Sequence, residues 1–296
     1  MRRTSLIAAL GCALCLACAP SQQSTPLALL PQHEARSAIV PRGARIGPLV
    51  IGESFAIESA ILAETRHINV YRPTVYGEKL DEPLPVLYMP DGGLSEDFLH
   101  VAGLIQVLVS NGGMRPFLLV GIENTQRRRD MTGPTRSDED RKIAPIVGGS
   151  GAFRRFVREE LMPTVAARYR TTGENAIVGE SLAGLFVIET LFLEPDLFST
   201  YIAIDPSLWW DKEALLDAAD ARLAAWQAGR KTVFVASSNE AALARLSSRL
   251  AAIVDGRRPA ELAFQHVPLP AETHATIYHP AALLAFRSVF APPAWK

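Results

Sequence analysis

Asn175-Ala176-Ile177-Val178-Gly179-Glu180-Ser181-Leu182-Ala183-Gly184-Leu185-Phe186-Val187-Ile188-Glu189-Thr190-Leu191-Phe192 is the stretch that decides the fold of this chain. Ala176-Ile177-Val178 is a short apolar run of the kind that forms a buried strand. Gly179 through Gly184 breaks it, and the apolar stretch beyond reads as a helix. A serine flanked by small residues at a strand–turn–helix junction has the pattern of a nucleophile elbow. Such a turn admits only small side chains two residues either side of the serine. It lifts the hydroxyl above the sheet, beside the positive end of the following helix. Ser181 is therefore expected in a sparsely populated backbone region, at a cost of about 1–3 kcal/mol. Ala183 stands where the motif has its second glycine, and one added methyl keeps the turn feasible. Taken alone, the segment also fits a strand followed by a helix that happens to be capped by serine.

Outward from the elbow, strand and helix signals alternate. Phe55-Ala56-Ile57 and His67-Ile68-Asn69-Val70-Tyr71 read as paired opening strands, and Pro85 to Met89 and Phe117 to Ile122 as buried ones. An amphipathic helix is expected from about Gly151 to Tyr169, with Phe153, Val157, Leu161 and Val165 on one face and a bend at Pro163. Beyond the elbow come strands at Tyr201–Ile204, Thr232–Val235 and Leu262–Phe264. One helix between them carries Leu216, Ala219, Leu223 and Trp226 on a face. A second carries Leu243, Leu246, Leu250 and Val254, with Gly256 placed to stop it. Short apolar strands alternating with helices imply an α/β fold, a mostly parallel central sheet with helices on both faces.

With 296 residues, 48% of them hydrophobic, and a formal charge of −1, the chain can bury one sizeable α/β core. That charge offers no general footprint for nucleic acid. Arg2 and Arg3 followed by the apolar run Leu6–Ala17 read as an export signal over residues 1–18, too short to cross a bilayer as a helix. Leu16-Ala17-Cys18 resembles the end of a lipobox, with Cys18 as the lipidated residue, although Cys15 stands where leucine is usual. Cleavage after Ala19 is the alternative. Residues 19–45 read as a tether and 46–296 as the folded domain. The expected location is the periplasm, with membrane attachment through the N-terminal lipid. All three cysteines, Cys12, Cys15 and Cys18, fall in the signal, so the domain has no disulfide and no cysteine nucleophile.

A serine hydroxyl becomes a nucleophile when a neutral imidazole takes its proton and an acid orients that imidazole. After such an elbow the chain order is Ser, acid, His, each on a loop at the C-terminal edge of the sheet. Of the six histidines, His33, His67 and His100 precede the serine and His266 lies within a strand. His274, in the polar loop after the last strand, is favoured over His279. For the acid, Glu240 directly follows the penultimate strand, and Asp205 at Ile204-Asp205-Pro206 competes with it. The oxyanion donors are expected to be the backbone N–H of Leu182 and that of Gly93, with Gly92 second.

These residues, together with several ordered segments, resemble the putative-esterase branch of the α/β-hydrolase superfamily, and within it bacterial siderophore esterases of the trilactone-hydrolase type. The segments are Val86 to Gly92, Val120 to Thr132, Phe156 to Tyr169, Gly179 to Leu185 and Pro206-Ser207-Leu208-Trp209-Trp210-Asp211. The resemblance implies Ser181 as nucleophile and His274 as base. Asp205 stands where many relatives have serine, and some trilactone hydrolases work with a Ser–His dyad, so the acid stays open between Glu240, Asp205 and none. Gly133 interrupts the usual Thr-Pro ending of the Arg-Asp motif. Arg127, Arg128 and Arg129 could hold a ferric catecholate anion by charge and stacking, or pin a loop. Trp209 could wall the cleft or pack on the next helix. The expected activity is hydrolysis of a small-molecule ester, a siderophore lactone or its iron complex, by a monomer through an acyl-enzyme on Ser181. Acyl transfer and ligand binding without cleavage are the alternatives. No metal cluster, phosphate loop or nucleotide motif is legible, and no cofactor is expected.

Overall fold

The computed structural model describes residues 45, 47–76 and 78–292. The expected signal, the lipidation site Cys18 and the tether up to residue 44 lie outside the described residues. The compact unit begins at Val50. Its strands are β1 (Glu53–Ser59), β2 (Glu64–Tyr71), the short pair β3 (Thr74–Val75) and β4 (Glu78–Lys79), and β5 (Leu84–Pro90). They continue with β6 (Leu118–Ile122), β7 (Thr171–Glu180), β8 (Thr200–Ile204), β9 (Lys231–Ser237) and β10 (Leu262–Pro268). The helices are α1 (Phe98–Ser110), α2 (Arg127–Asp130), α3 (Asp138–Ile143), α4 (Ser150–Phe156) and α5 (Met162–Arg168). After the elbow come α6 (Leu182–Leu193), α7 (Trp210–Asp217), α8 (Ala219–Ala224), α9 (Ala241–Arg257) and α10 (Tyr278–Val289).

Eight strands form one sheet in the order β1-β2-β6-β5-β7-β8-β9-β10. β2 runs antiparallel to both β1 and β6, and the pairs from β6 across to β10 are parallel. The opening strands pair as their patterns predict, with Phe55 opposite Ile68. Because successive side chains of a strand face opposite ways, a strand covered on both faces must be apolar throughout. β5 is buried at all seven positions. Its Val86 and Tyr88 join one core with α4, α5, α6, α8 and α9, while Leu87 and Met89 join another with α1 and α10. On β7 the same alternation sends Ile177 to the first core and Ala176 and Val178 to the second.

The helix expected over Gly151–Tyr169 is three segments. A π-helical turn at Val157–Leu161 joins α4 to α5, and Pro163 sits in the first turn of α5. Proline has no N–H to give the preceding turn, so a widened turn ahead of it absorbs the missing bond. Thr164 Oγ1 donates to the Glu160 carbonyl there at 2.7 Å. The helix face Leu216, Ala219, Leu223 and Trp226 is broken up: Leu216 lies on α7, Ala219 and Leu223 on α8, and Trp226 beyond its end. It is preceded by three consecutive left-handed residues, Asp211, Lys212 and Glu213, with φ of 48°, 55° and 67°. Gly256 does not stop α9, which runs on to Arg257. Among the described residues no helix is long and apolar enough to cross a membrane.

Candidate active site

Parallel strands deliver their following loops to one edge of the sheet, and β7, β8 and β10 each bring a functional group there. Ser181 follows β7 directly and opens α6, with φ 60° and ψ −119°, a left-handed conformation that costs a serine about 1–3 kcal/mol. Two backbone bonds impose it: Ser181 N–H donates to the Ile204 carbonyl at 3.0 Å, and the Ser181 carbonyl accepts from Ser207 N–H at 3.0 Å. Space around the turn explains its composition. A Cβ on Gly179 would stand 2.7 Å from the Ala183 backbone and 2.8 Å from the Ala183 methyl. Ala183 is therefore tolerated in place of glycine because Gly179 carries no side chain to meet it.

His274 lies in the loop between β10 and α10. That loop is shaped by Ile277 N–H donating to the Thr273 carbonyl (3.0 Å) and by Asn239 N–H donating to the Glu272 carbonyl (2.9 Å). His274 Nε2 is 3.0 Å from Ser181 Oγ, and its Nδ1 is 2.7 Å from Asp205 Oδ2. A proton on Nδ1 leaves the Nε2 lone pair facing the hydroxyl, the arrangement a general base requires. The Asp205 hydrogen bond is the main cause that raises the imidazole above its usual range, desolvation opposes it, and the Glu180 charge adds to it.

The carboxylate on the imidazole is thus Asp205, and Glu240 is corrected on this point. Glu240 is exposed at the start of α9 and makes no hydrogen bond to His274. The loop expected to supply the acid instead supports its competitor: Ser238 N–H donates to Asp205 Oδ1 at 2.9 Å and Ser238 Oγ to Oδ2 at 2.7 Å. Asp205 is fully buried, with φ 45°. Burial works to raise its pKa, and the hydrogen bonds from His274 and Ser238 outweigh it, holding the carboxyl below the ordinary range.

Leu182 is the first residue of α6, where a helix leaves its N–H groups without intrahelical acceptors. Gly93 is a second correction. Its N–H donates to Glu96 Oε2 at 2.7 Å, and that of Gly92 to the Ile122 carbonyl at 2.9 Å, so neither amide is open to substrate. The glycine at 92 answers a packing need, since a Cβ there would fall 2.3 Å from Gly121 Cα.

The three arginines do not form one cluster. Arg127, one-third exposed, pairs with buried Asp91 through Nε (2.6 Å) and Nη2 (2.8 Å). Arg128 is exposed and donates to the Ile143 carbonyl. Arg129 binds Glu64 and Asp130 at 2.7 Å each, beside the fully buried Arg66–Asp130 pair. Trp209 is half-buried against the core, 5.9 Å from the ring of Trp210, whose Nε1 donates to the Gly133 carbonyl at 2.8 Å.

Two neighbours of Ser181 escaped the sequence argument. Ser207 Oγ lies 3.5 Å from Ser181 Oγ, and Glu180 Oε1 lies 3.4 Å from His274 Nδ1. The second was open to discovery, because a residue just before the serine on a strand must face the loops beside it. Among the described residues no group of three or more His, Cys, Asp or Glu side chains could hold a metal ion.

A family model described as putative esterase matches residues 59–247, which include Ser181 and Asp205. The chain belongs to that family. It is 36% identical over 173 residues to ferri-bacillibactin esterase BesA of Bacillus subtilis, a match covering 53% of this chain and 58% of that protein. It is 31% identical over 187 residues to the siderophore triacetylfusarinine C esterase of Aspergillus fumigatus, covering 59% and 62%. The chain thus matches about three fifths of the length of these two relatives. The solved structure of an IroE-like serine hydrolase from Shewanella oneidensis aligns with a TM-score of 0.74 at 30% identity, over 81% of this chain and 80% of that one. The fold is that of the α/β-hydrolases.

Proposed function

We propose that this chain is a serine carboxylic-ester hydrolase that acts on siderophore esters through an acyl-enzyme on Ser181. The observation that carries the reading is the continuous line from Ser181 Oγ through the imidazole to Asp205, at 3.0 and 2.7 Å, ending on a strained elbow. In the first half-reaction Ser181 Oγ bonds to the ester carbonyl carbon as its proton passes to His274 Nε2. Leu182 N–H faces the developing oxyanion. Collapse breaks the carbon–oxygen ester bond, and the alkoxide leaves with the proton from Nε2. In the second half-reaction water gives a proton to Nε2 and attacks the acyl carbon, and that proton returns to Ser181. Asp205 keeps Nδ1 protonated throughout and steadies the imidazolium.

The siderophore assignment draws on the named activities of the related proteins, two of which are described as esterases of ferri-bacillibactin and of the siderophore triacetylfusarinine C. Arg127 is the cation proposed to face an anionic substrate, because it keeps a third of its surface while Arg129 is spent on the buried ion pairs. We further propose export through residues 1–18, with attachment at Cys18. Replacement of Ser181 or His274 by alanine should lower kcat for an activated ester by about 10⁴–10⁶-fold, with circular dichroism and melting unchanged. Near-normal turnover by Ser181→Ala would remove the acyl-enzyme reading.

A further inference from the structure

Glu180 is the last residue of β7, and the strand's alternation puts it on the same face as Ala176 and Val178, the face covered by α1 and α10. The loop carrying His274 runs into α10 on that face. The side chain is mostly enclosed, 16% exposed, and its Oε1 stands 3.4 Å from His274 Nδ1, the nitrogen that Asp205 already holds at 2.7 Å. Among the described residues no hydrogen bond reaches the Glu180 carboxylate. With no protein donor on it, this mostly enclosed carboxylate has His274 as its nearest charged partner. Burial pushes this one up to about 7, against the charges of His274 and Arg127. The charge of His274 favours the ionised form of Glu180, which couples the two groups.

We propose that Glu180 is a second carboxylate for the imidazole: a positioning residue that adds its charge to the Asp205 side of His274 and can accept the Nδ1 proton bond when Asp205 cannot. No proton moves to Glu180 in the chemical step, in which Ser181 gives its proton to Nε2 and Nδ1 stays protonated. The charged and titratable groups around this pair are Asp205 after β8, Glu240 at the start of α9, Asp91 after β5, Arg127 at the start of α2 and Tyr278 in α10, which Asp97 also faces. Of the surrounding groups Asp205 alone joins Glu180 within 4 Å of Nδ1. The acid limb of turnover then belongs to the Glu180–His274 pair and not to one group.

The inference rests on the hydrolase reading, and one set of measurements separates the two. Rates of 4-nitrophenyl butyrate hydrolysis are followed from pH 5 to 9, per folded protein measured by circular dichroism, for wild type, Glu180→Gln, Asp205→Asn and the double variant. Normalising to the folded fraction keeps a variant that folds poorly from mimicking the effect. Glu180→Gln should move the acid limb of kcat/KM to lower pH and reduce its plateau by less than about tenfold. Asp205→Asn should lose about 10²-fold and the double variant about 10⁴-fold, the loss expected when an imidazole has no acid at all. The double loss then exceeds the product of the single ones. An unmoved acid limb, or losses that simply multiply, would overturn the role of Glu180 while leaving the hydrolase intact. No turnover by the wild type would refute the hydrolase reading itself.

Discussion

Ser181, Asp205 and His274 are separated by 24 and 69 positions of chain, and what brings them together is geometry at the level of single side chains. The serine and the histidine were legible because each signal is local: small residues around a turn, and an imidazole in the loop after the last strand. The acid was not, because the choice between Asp205 and Glu240 depends on which adjacent loop folds under the imidazole. Ser238 decides it by giving both its N–H and its hydroxyl to Asp205. Glu240 is left in solvent, so Glu240→Ala should change kcat/KM less than twofold. Asp205→Asn should lower it by about 10²-fold or more and shift its acid limb. The sign follows from the imidazole, whose pKa the Asp205 bond raises above the ordinary value. Activity in the wild type is therefore lost as pH falls through that raised value, and removing the negative charge lets the base survive to lower pH. An acid limb in the wild type below that of Asp205→Asn would contradict this assignment.

At the scale of the element, α2 shows how a run of like residues can be given unlike jobs. Arg127, Arg128 and Arg129 are adjacent in the sequence, but a helical turn points them in different directions. Their partners Asp91 and Glu64 lie far away in the chain, on the loop after β5 and on β2. No local pattern could have announced those pairings. Asp130 anchors the turn against Arg66, which stacks on Phe153 and Phe156 at 5.3 and 5.9 Å from their centroids. Asp130→Ala would leave the buried Arg66 guanidinium with Glu64 as its remaining carboxylate and should cost about 3 kcal/mol in denaturant unfolding. Arg128→Ala should fall within about 0.5 kcal/mol of wild type, as an exposed substitution does. Arg127→Ala should depress turnover of a ferric catecholate ester more than that of a neutral butyrate ester. Equal losses on both substrates would remove its part in binding an anion.

Across the whole molecule, the alternation of apolar strands and amphipathic helices carried most of the architecture. It paired β1 with β2, marked β5 and β7 as buried strands, and put helices on both faces of the sheet. It failed where three-dimensional crowding overrides a one-dimensional pattern. The π turn ahead of Pro163 is one case, and the left-handed run Asp211–Glu213 is another. That run is held by Asp211, which accepts from Arg136 N–H at 2.6 Å and donates its own N–H to Asp140 at 2.8 Å. The glycines after β5 are a third case: their amides are taken up by Glu96 and Ile122. The sheet nevertheless presents one edge at which a strained serine, an imidazole and a buried carboxylate meet, and that convergence is what the fold contributes to the proposed chemistry. Its most direct test is peptide mapping by mass spectrometry after treatment with a fluorophosphonate. The account predicts a single covalent adduct on Ser181 in the wild type, formed far more slowly in His274→Ala. An unlabelled Ser181, or labelling at an equal rate without the imidazole, would contradict it.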